Sequence, residues 1–423
     1  MTPVVPPTSA ADSVIYVPWA SWYEDCEMAL RFPDRFSVHL LSMRDAPGLN
    51  ERATVRALAA PIGTRRLREL ARGARSAVIA VDDISRPTPA AHVLPAVLEE
   101  MADISIERTT VLVALGAHRP MVREELEKKI GVDVMRRCDV QQHHPYENLV
   151  DMGRSSRGTP IRLNRRFCEA DLRVGISGVM PHPYMGFSGG AKIVVPGLAG
   201  IETLQANHQP AVTGITGGLC DPEVEARREI EEIALSAGLA FTCNVVVNSR
   251  REIAGLFCGH PVESHRAAAR FCREIYDTPV ADAPYDIVCL NAYPKDTELL
   301  QAGNALNVFR SAAASERLTA EGRALLKPQG TVVVTTSCAT GRGYHSLHGP
   351  GGRLYRQPVA KPFLDGREIV VFSPNLSQRD FEVSFAKEYR FFDSWPVLAD
   401  YLAAKHRGPA KVGVFPLAPV QIL

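Results

Sequence analysis

The chain is 423 residues long, more than one core usually takes, and at roughly 100–200 residues per domain it divides into two substantial domains. Lys and Arg number 48 against 47 Asp and Glu, a net charge of +1 with no block of like charges, which argues against a nucleic acid partner. There is no run of 18 apolar residues, no basic and then apolar leader at the N-terminus, and no C-x-x-C pair, so the expectation is a cytoplasmic protein with reduced thiols and no membrane partner.

Short apolar runs rich in β-branched residues alternate with longer amphipathic stretches, the pattern of sheets with helical crossovers. Residues 76–81 (SAVIAV) and 109–113 (TTVLV) predict buried strands, and 92–101 and 121–129 predict the helices after them. Residues 161–163 and 172–176 predict strands leading into a glycine-rich loop, followed by a charged helix at 222–237, a strand at 244–247 and a helix at 263–276. Residues 277–285 (DTPVADAPY) hold two prolines and no helical period, and read as a linker. Beyond it come a strand at 286–290, a helix at 298–314 and strands at 331–335 and 369–372. Residues 411–415 form a last strand that could return to either domain. The expected fold is α/β: a domain at 1–276, a smaller one at 286–410, a terminal strand within 411–423, and an active-site cleft between the two domains.

Ligands of open α/β sheets sit at the carboxyl ends of strands, which draws attention to three loops. After the first strand stands Asp82-Asp83-Ile84-Ser85-Arg86-Pro87-Thr88-Pro89. It is either a rigid loop that orders an anion through the planar fork of Arg86 or a polar turn with a helix-starting proline. After the second, in Gly116-Ala117-His118-Arg119-Pro120, His118 is placed to act as a general base near neutral pH or as a cap. The densest stretch is residues 179–192 (VMPHPYMGFSGGAK), where Ser188-Gly189-Gly190 can present backbone N–H groups to an anion. Lys192 can be a phosphate ligand or a covalent attachment point. The spacing matches neither a P-loop nor a G-x-G-x-x-G dinucleotide fingerprint. His208 alone cannot complete a protein-only zinc site, so any metal it binds needs donors from elsewhere. His143 and His144 point to opposite faces of an extended segment and are assigned no role. Lys295-Asp296 ends the second domain's first strand, facing the cleft or forming a solvated turn.

Together these pieces resemble the nickel-pincer lactate racemase family, from about residue 31 to the end. The family's P-H-x-[FY]-x-G-x-S-G-G-x-K pattern stands at 181–192, its P-G-x-A at 196–199 and its Q-A-N-H at 205–208. Its D-x-x-R-P-T-P loop stands at 83–89, its G-x-H-R-P-M loop at 116–121 and its Y-P-K-D turn at 293–296. The resemblance implies a nickel-pincer nucleotide, nickel pyridinium-3,5-bisthiocarboxylic acid mononucleotide, held covalently at Lys192 with His208 as a nickel ligand. Asp83, Ile84, Ser85, Arg86, Ser188, Gly189 and Gly190 are the implied cofactor contacts. His118 and His182 resemble the acid/base pair, with Arg86 and Lys295 near the substrate. The implied reaction is racemisation or epimerisation of a small-molecule 2-hydroxycarboxylate by reversible hydride transfer, and the implied protein partners synthesise the cofactor and insert nickel.

Two departures fall where substrate selection is expected: Asn291-Ala292 replaces the Gly-Gly that relatives often carry, and 337–341 lacks their acidic residue. They point away from lactate itself, with epimerisation of a sugar acid or a dicarboxylate as one alternative, and an arginine-bearing lid at 341–356 favours a substrate larger or more polar than lactate. A non-catalytic carrier of the nickel cofactor is the alternative from another class, and it has no need of His118 and His182. The Gly/Arg-rich stretch 341–356 (GRGYHSLHGPGGRLYR) reads as a solvated lid, or as a lid one of whose arginines pairs with a second anionic or polar group of the substrate.

Overall fold

Parallel strands covered on both faces demand near-continuous apolar runs, and the runs at the start of the chain meet that demand. In the computed structural model, which describes residues 14–212, 219–314, 324–361, 364 and 367–423, every residue of Ala77–Asp82 and of Thr109–Ala114 is buried. The N-terminal residues read above for a leader lie outside the described residues. Among those described, no helix is long and apolar enough to cross a membrane.

These strands belong to a six-stranded sheet ordered Ile253–Gly259, Phe241–Val247, Leu172–Gly178, Ala77–Asp82, Thr109–Ala114, Asp139–Gln142. All neighbours are parallel except the antiparallel edge strand Ile253–Gly259. From Ala77–Asp82 the chain first winds to one side and later resumes on the other, so the strand order reverses between Ala77–Asp82 and Leu172–Gly178. The crevice at such a switch point is where ligands of open sheets bind. Pro160–Asn164 pairs with Leu149–Arg154 in a separate hairpin.

A second six-stranded sheet, parallel throughout, is ordered Arg390–Phe392, Glu368–Phe372, Leu326–Thr335, Tyr285–Asn291, Ala410–Phe415, Phe36–Leu40. Its order reverses between Tyr285–Asn291 and Ala410–Phe415, and Lys295 follows that strand end. The last strand joins this sheet, and Phe36–Leu40 crosses into it from the stretch that the sequence assigns to the first domain. The helix expected at 298–314 is three pieces, Leu299–Ala302, a 3-10 turn at Gly303–Leu306 and Asn307–Ala314. Gly303 weakens the helix there, and Asn304 Nδ2 donates to the Gln301 carbonyl at 2.7 Å, a local bond that competes with the helical ladder.

One buried ion pair braces the first switch point. Asp82 Oδ1 lies 2.6 Å from Nζ of Lys129, whose side chain is fully buried. Asp82 Oδ2 accepts the N–H of Gly178 at 2.8 Å and the hydroxyl of Thr88 at 2.6 Å, tying the two strand ends together. Lys129 Nζ also donates to the Arg86 carbonyl at 3.1 Å, which fixes the backbone of the loop. Lys129→Met should therefore strand a buried carboxylate and lower the unfolding free energy by about 3–5 kcal/mol. Chemical denaturation of the variant and of Lys129→Met/Asp82→Asn, which should recover part of the loss, checks this; an unchanged midpoint in the single variant would contradict it.

Candidate active site

Loops at the carboxyl ends of both sheets line one cavity of about 450 Å³, within the range of roughly 300–1,000 Å³ usual for small-molecule sites. Its walls include Asp83, Arg86, His118, His182, Ser188, Gly189, Lys192 and His208 from the first part of the chain, and Lys295 from the second. Of the residues singled out in the sequence, Ile84, Ser85 and Gly190 are not among the lining. Ile84 packs into the core, the Ser85 hydroxyl donates to Asp83, and the Gly190 N–H is taken by Asn244 Oδ1 at 2.9 Å.

The two candidate acid/base histidines carry opposite hydrogen-bond patterns. His118 Nδ1 is bonded to Asp83 Oδ2, with Ser85 Oγ 3.3 Å away. Burial would raise the Asp83 carboxyl, but His118, Arg86 and Ser85 outweigh it and hold the group well below the usual carboxylate range. An ionised Asp83 accepts from Nδ1–H and leaves the lone pair of His118 on Nε2. His182 Nδ1 instead accepts the N–H groups of Tyr184 at 3.3 Å and Met185 at 3.1 Å, so its neutral ring carries the proton on Nε2, 3.2 Å from Lys192 Nζ. Burial, then the charges of Lys192, Lys295 and Arg86, push His182 well below its ordinary value.

The glycine-rich loop is built from within. Ser188 Oγ donates to the Gly178 carbonyl at 2.7 Å and accepts the Met180 N–H at 3.0 Å, so this hydroxyl braces the loop. Gly189 has φ +78°, and a Cβ there would meet Val179 Cγ2 at 2.5 Å and the Gly178 carbonyl oxygen at 3.2 Å. Beneath it, fully buried Arg227 donates to the carbonyls of Met185 at 3.0 Å and Phe187. His265 Nε2 bonds the Ser188 carbonyl at 2.9 Å. Nothing in the sequence marks Arg227, Asn244 or His265 as part of this loop; a charged helix gives no local sign of which arginine turns inward.

Lys192 and Lys295 both lie well below the usual lysine range, through burial first and then the charge of Arg86. Arg86 Nη1 itself donates to Gln301 Oε1 at 3.0 Å, reaching from the loop after Ala77–Asp82 to the helical piece Leu299–Ala302. His208 Nδ1 bonds the Leu204 carbonyl one helical turn back at 2.9 Å, which leaves Nε2 as the donor atom, and burial with His348 and Lys192 pushes the ring down to about 3. Among the described residues no three His, Cys, Asp or Glu side chains gather as a metal site, so a metal on His208 needs other donors. His143, buried, bonds the Ala199 carbonyl at 3.0 Å and takes no part.

The Gly/Arg-rich stretch packs onto this site. The Ser346 N–H donates to the Ala117 carbonyl at 2.8 Å, Leu347 is fully buried, and the His345 ring centroid lies 5.2 Å from that of His118. His348 stands 5.6 Å from His208 by the same measure. Arg353 pairs outside with Gln205 at 3.2 Å and Glu202 at 3.9 Å. The departures Asn291 and Ala292 lie off the cavity wall. Asn291 is fully buried and joins Pro18, Thr335 and Pro416, so it holds strand ends together where a substrate-selecting residue was expected.

The family described as lactate racemase N-terminal domain matches residues 23–215. The chain is 31% identical over 311 residues to the lactate racemase of Lactiplantibacillus plantarum, covering 71% of this chain and 70% of that one. It is 31% identical over 295 residues to the lactate racemase of Thermoanaerobacterium thermosaccharolyticum, covering 68% and 66%. The lactate racemase apoprotein from T. thermosaccharolyticum superposes with a TM-score of 0.73 at 25% identity, over 97% of this chain and 99% of that one. A Thermotoga maritima protein, at 17% identity and TM-score 0.58 over 83% and 98%, is alike in fold.

The histidine pattern is open to direct measurement. At about pH 8, where an unperturbed imidazole is neutral, ¹⁵N-histidine NMR should find His118 protonated on Nδ1 and His182 on Nε2. Asp83→Asn should shift His118 toward the Nε2–H form. The same tautomer in wild type and variant would dissociate Asp83 from the control of His118.

Proposed function

The chain belongs to the lactate racemase family, and from that premise we propose that it is an isomerase that inverts the hydroxyl-bearing carbon of a 2-hydroxycarboxylic acid. The observation that carries the reading is the placement of His118 and His182, from separate loops, on one cavity that Arg86, Lys192 and Lys295 also line. Arg86 and Lys295 are suited to the substrate carboxylate, Arg86 through its planar fork and Lys295 as a point charge. His118, with Nδ1 engaged by Asp83, offers Nε2 to the hydroxyl proton. To serve the hydroxyl of the opposite enantiomer, His182 must carry its proton on Nδ1 and release the Tyr184 and Met185 N–H groups, so that Nε2 is free to take and return a proton; each direction of inversion then uses one ring as base and the other as acid.

The residues fit the nickel-pincer nucleotide implied by the family resemblance. Its negative groups would meet Lys192, Lys295 and Arg86, and its phosphate the glycine-lined wall at Gly178 and Gly189. Ser177 Oγ, buried on that wall without a hydrogen-bond partner among the described residues, offers a further contact. Lys192 would hold the group covalently, and His208 would ligate nickel through Nε2, supplying the fourth donor to a metal the protein cannot hold alone. When bound, it supplies an electrophile that takes the C2 hydrogen as hydride and returns it. Consuming the Lys192 amine would remove one of the charges that, after burial, hold His182 below its ordinary value. A substrate larger or more polar than lactate is favoured by a second cavity that opens beside the first.

Protein from a cofactor-producing host should carry a covalent mass adduct that is absent in Lys192→Ala, while His208→Ala should keep the adduct and lose nickel. In loaded enzyme, His118→Ala and His182→Ala should each slow both directions of inversion by about 10²–10⁴. An adduct retained in Lys192→Ala would refute the attachment, and a wild-type rate in His118→Ala would remove that residue from the chemistry.

A further inference from the structure

The stretch 341–356 is built into the site as a wall. At its start the N–H groups of Leu299 and Leu300 donate to the carbonyls of Gly341 at 3.1 Å and Arg342 at 3.3 Å, and further on it is held by the Ser346 bond to Ala117 and by fully buried Leu347. Between these anchors His345 faces His118 in an isolated antiparallel bridge, and both residues line the cavity of about 450 Å³.

The His345 ring is oriented by its own backbone. Its Nδ1 accepts the N–H groups of Leu347 and His348, each at 3.2 Å, the same pattern in which His182 Nδ1 takes those of the residues two and three places on, Tyr184 and Met185. A neutral ring whose Nδ1 accepts carries its proton on Nε2. Burial, then the charges of His118, His348, His208 and Arg86, push His345 well below its ordinary value, which favours the neutral form. His345 Nε2 has no hydrogen-bond partner among the described residues. His118 is its complement, with Nδ1 engaged by Asp83 and the lone pair left on Nε2. The two ring centroids are 5.2 Å apart at an interplanar angle of 68°. An open N–H and an open lone pair on neighbouring rings of one cavity match a hydroxyl group, which accepts once and donates once.

We propose that His345 is a further catalytic residue, whose Nε2–H donates to the C2 hydroxyl oxygen of the enantiomer that gives its hydroxyl proton to His118. The inference rests on the isomerase reading above and adds a residue that the reading does not use. His118 takes and returns the proton; His345 keeps its own throughout and holds the oxygen against His118. The opposite enantiomer turns its hydroxyl toward His182 and makes no bond to His345, so the contact serves one enantiomer alone.

That asymmetry is the test. KM and kcat are measured separately for each enantiomer of lactate and of malate with cofactor-loaded wild type, His345→Phe and His345→Gln, both variants checked for folding by their thermal transitions. In His345→Phe, which keeps a ring and removes the donor, KM should rise about tenfold for one enantiomer and stay at the wild-type value for its mirror image. His345→Gln, whose amide nitrogen returns a donor to the place of Nε2, should recover most of the difference. A merely structural role would move both enantiomers together, so equal shifts, or none, would overturn the contact and leave the isomerase reading standing. If neither acid turns over, it is the isomerase reading that fails, and calorimetric titration of the same proteins with each enantiomer decides the contact separately. Binding weakened for one enantiomer alone in His345→Phe sustains it, and affinities unchanged or equally weakened overturn it. Independently of substrate, ¹⁵N-histidine NMR of cofactor-free protein at about pH 8 should find His345 protonated on Nε2, and protonation on Nδ1 would overturn the proposal.

Discussion

The cations that line the candidate active-site cavity, Arg86, Lys192 and Lys295, are the constraint around which the rest is arranged. Of the carboxylates that line the cavity, Asp82 is engaged by Lys129 and Asp83 by His118. Lys192 and Lys295 are left without a carboxylate partner of their own among the described contacts, and Arg86 is bonded to the neutral side chain of Gln301. Charging fully buried Lys295 without a partner costs several kcal/mol, a cost that a bound anion would offset. The proposed cofactor's negative groups and the substrate's C1 carboxylate would fill this electrostatic deficit.

Two sheets hold these charges in place through their switch points. One brings the loops after Ala77–Asp82 and Leu172–Gly178 together, and the Asp82 carboxylate binds them to each other and to Lys129. The other places Lys295 beyond Tyr285–Asn291, where Asp296 accepts the N–H groups of Ala20 at 2.9 Å and Ser21 at 3.2 Å. Cations that repel one another remain close because each loop is tied by hydrogen bonds behind it. The Arg227 guanidinium under the glycine-rich loop is the clearest of these ties.

What was legible in the sequence is what local physics decides. Continuous β-branched runs announced the central strands, and the three motif loops stood at strand ends, so His118, His182 and Lys192 could be expected in one place. Long-range pairing was not legible: nothing in residues 36–40 signals a partner at 410–415, and the hairpin of Val14–Trp19 with Cys26–Arg31 escaped notice. The apolar period of 298–314 hid the break at Gly303. The approach of His345 and His348 to His118 and His208 depends on how a loop from one sheet lies on another, which spacing does not encode. His143 shows the converse, a tempting histidine that satisfies the core. The roles of His208 and Lys192 came from the family resemblance, whereas the free Nε2 of His208 and the opposed tautomers of His118 and His182 emerged only from geometry.

The central claim is that His118 and His182 handle the hydroxyl proton alone, while the hydrogen on C2 leaves and returns as hydride without meeting water. A 2-hydroxy acid substrate carrying deuterium at C2, inverted by the cofactor-loaded enzyme in ordinary water, tests this most directly. The account predicts that the inverted product retains its deuterium. Replacement of that deuterium by solvent hydrogen at the rate of inversion would mean that a side chain removes C2–H as a proton, and would contradict the account.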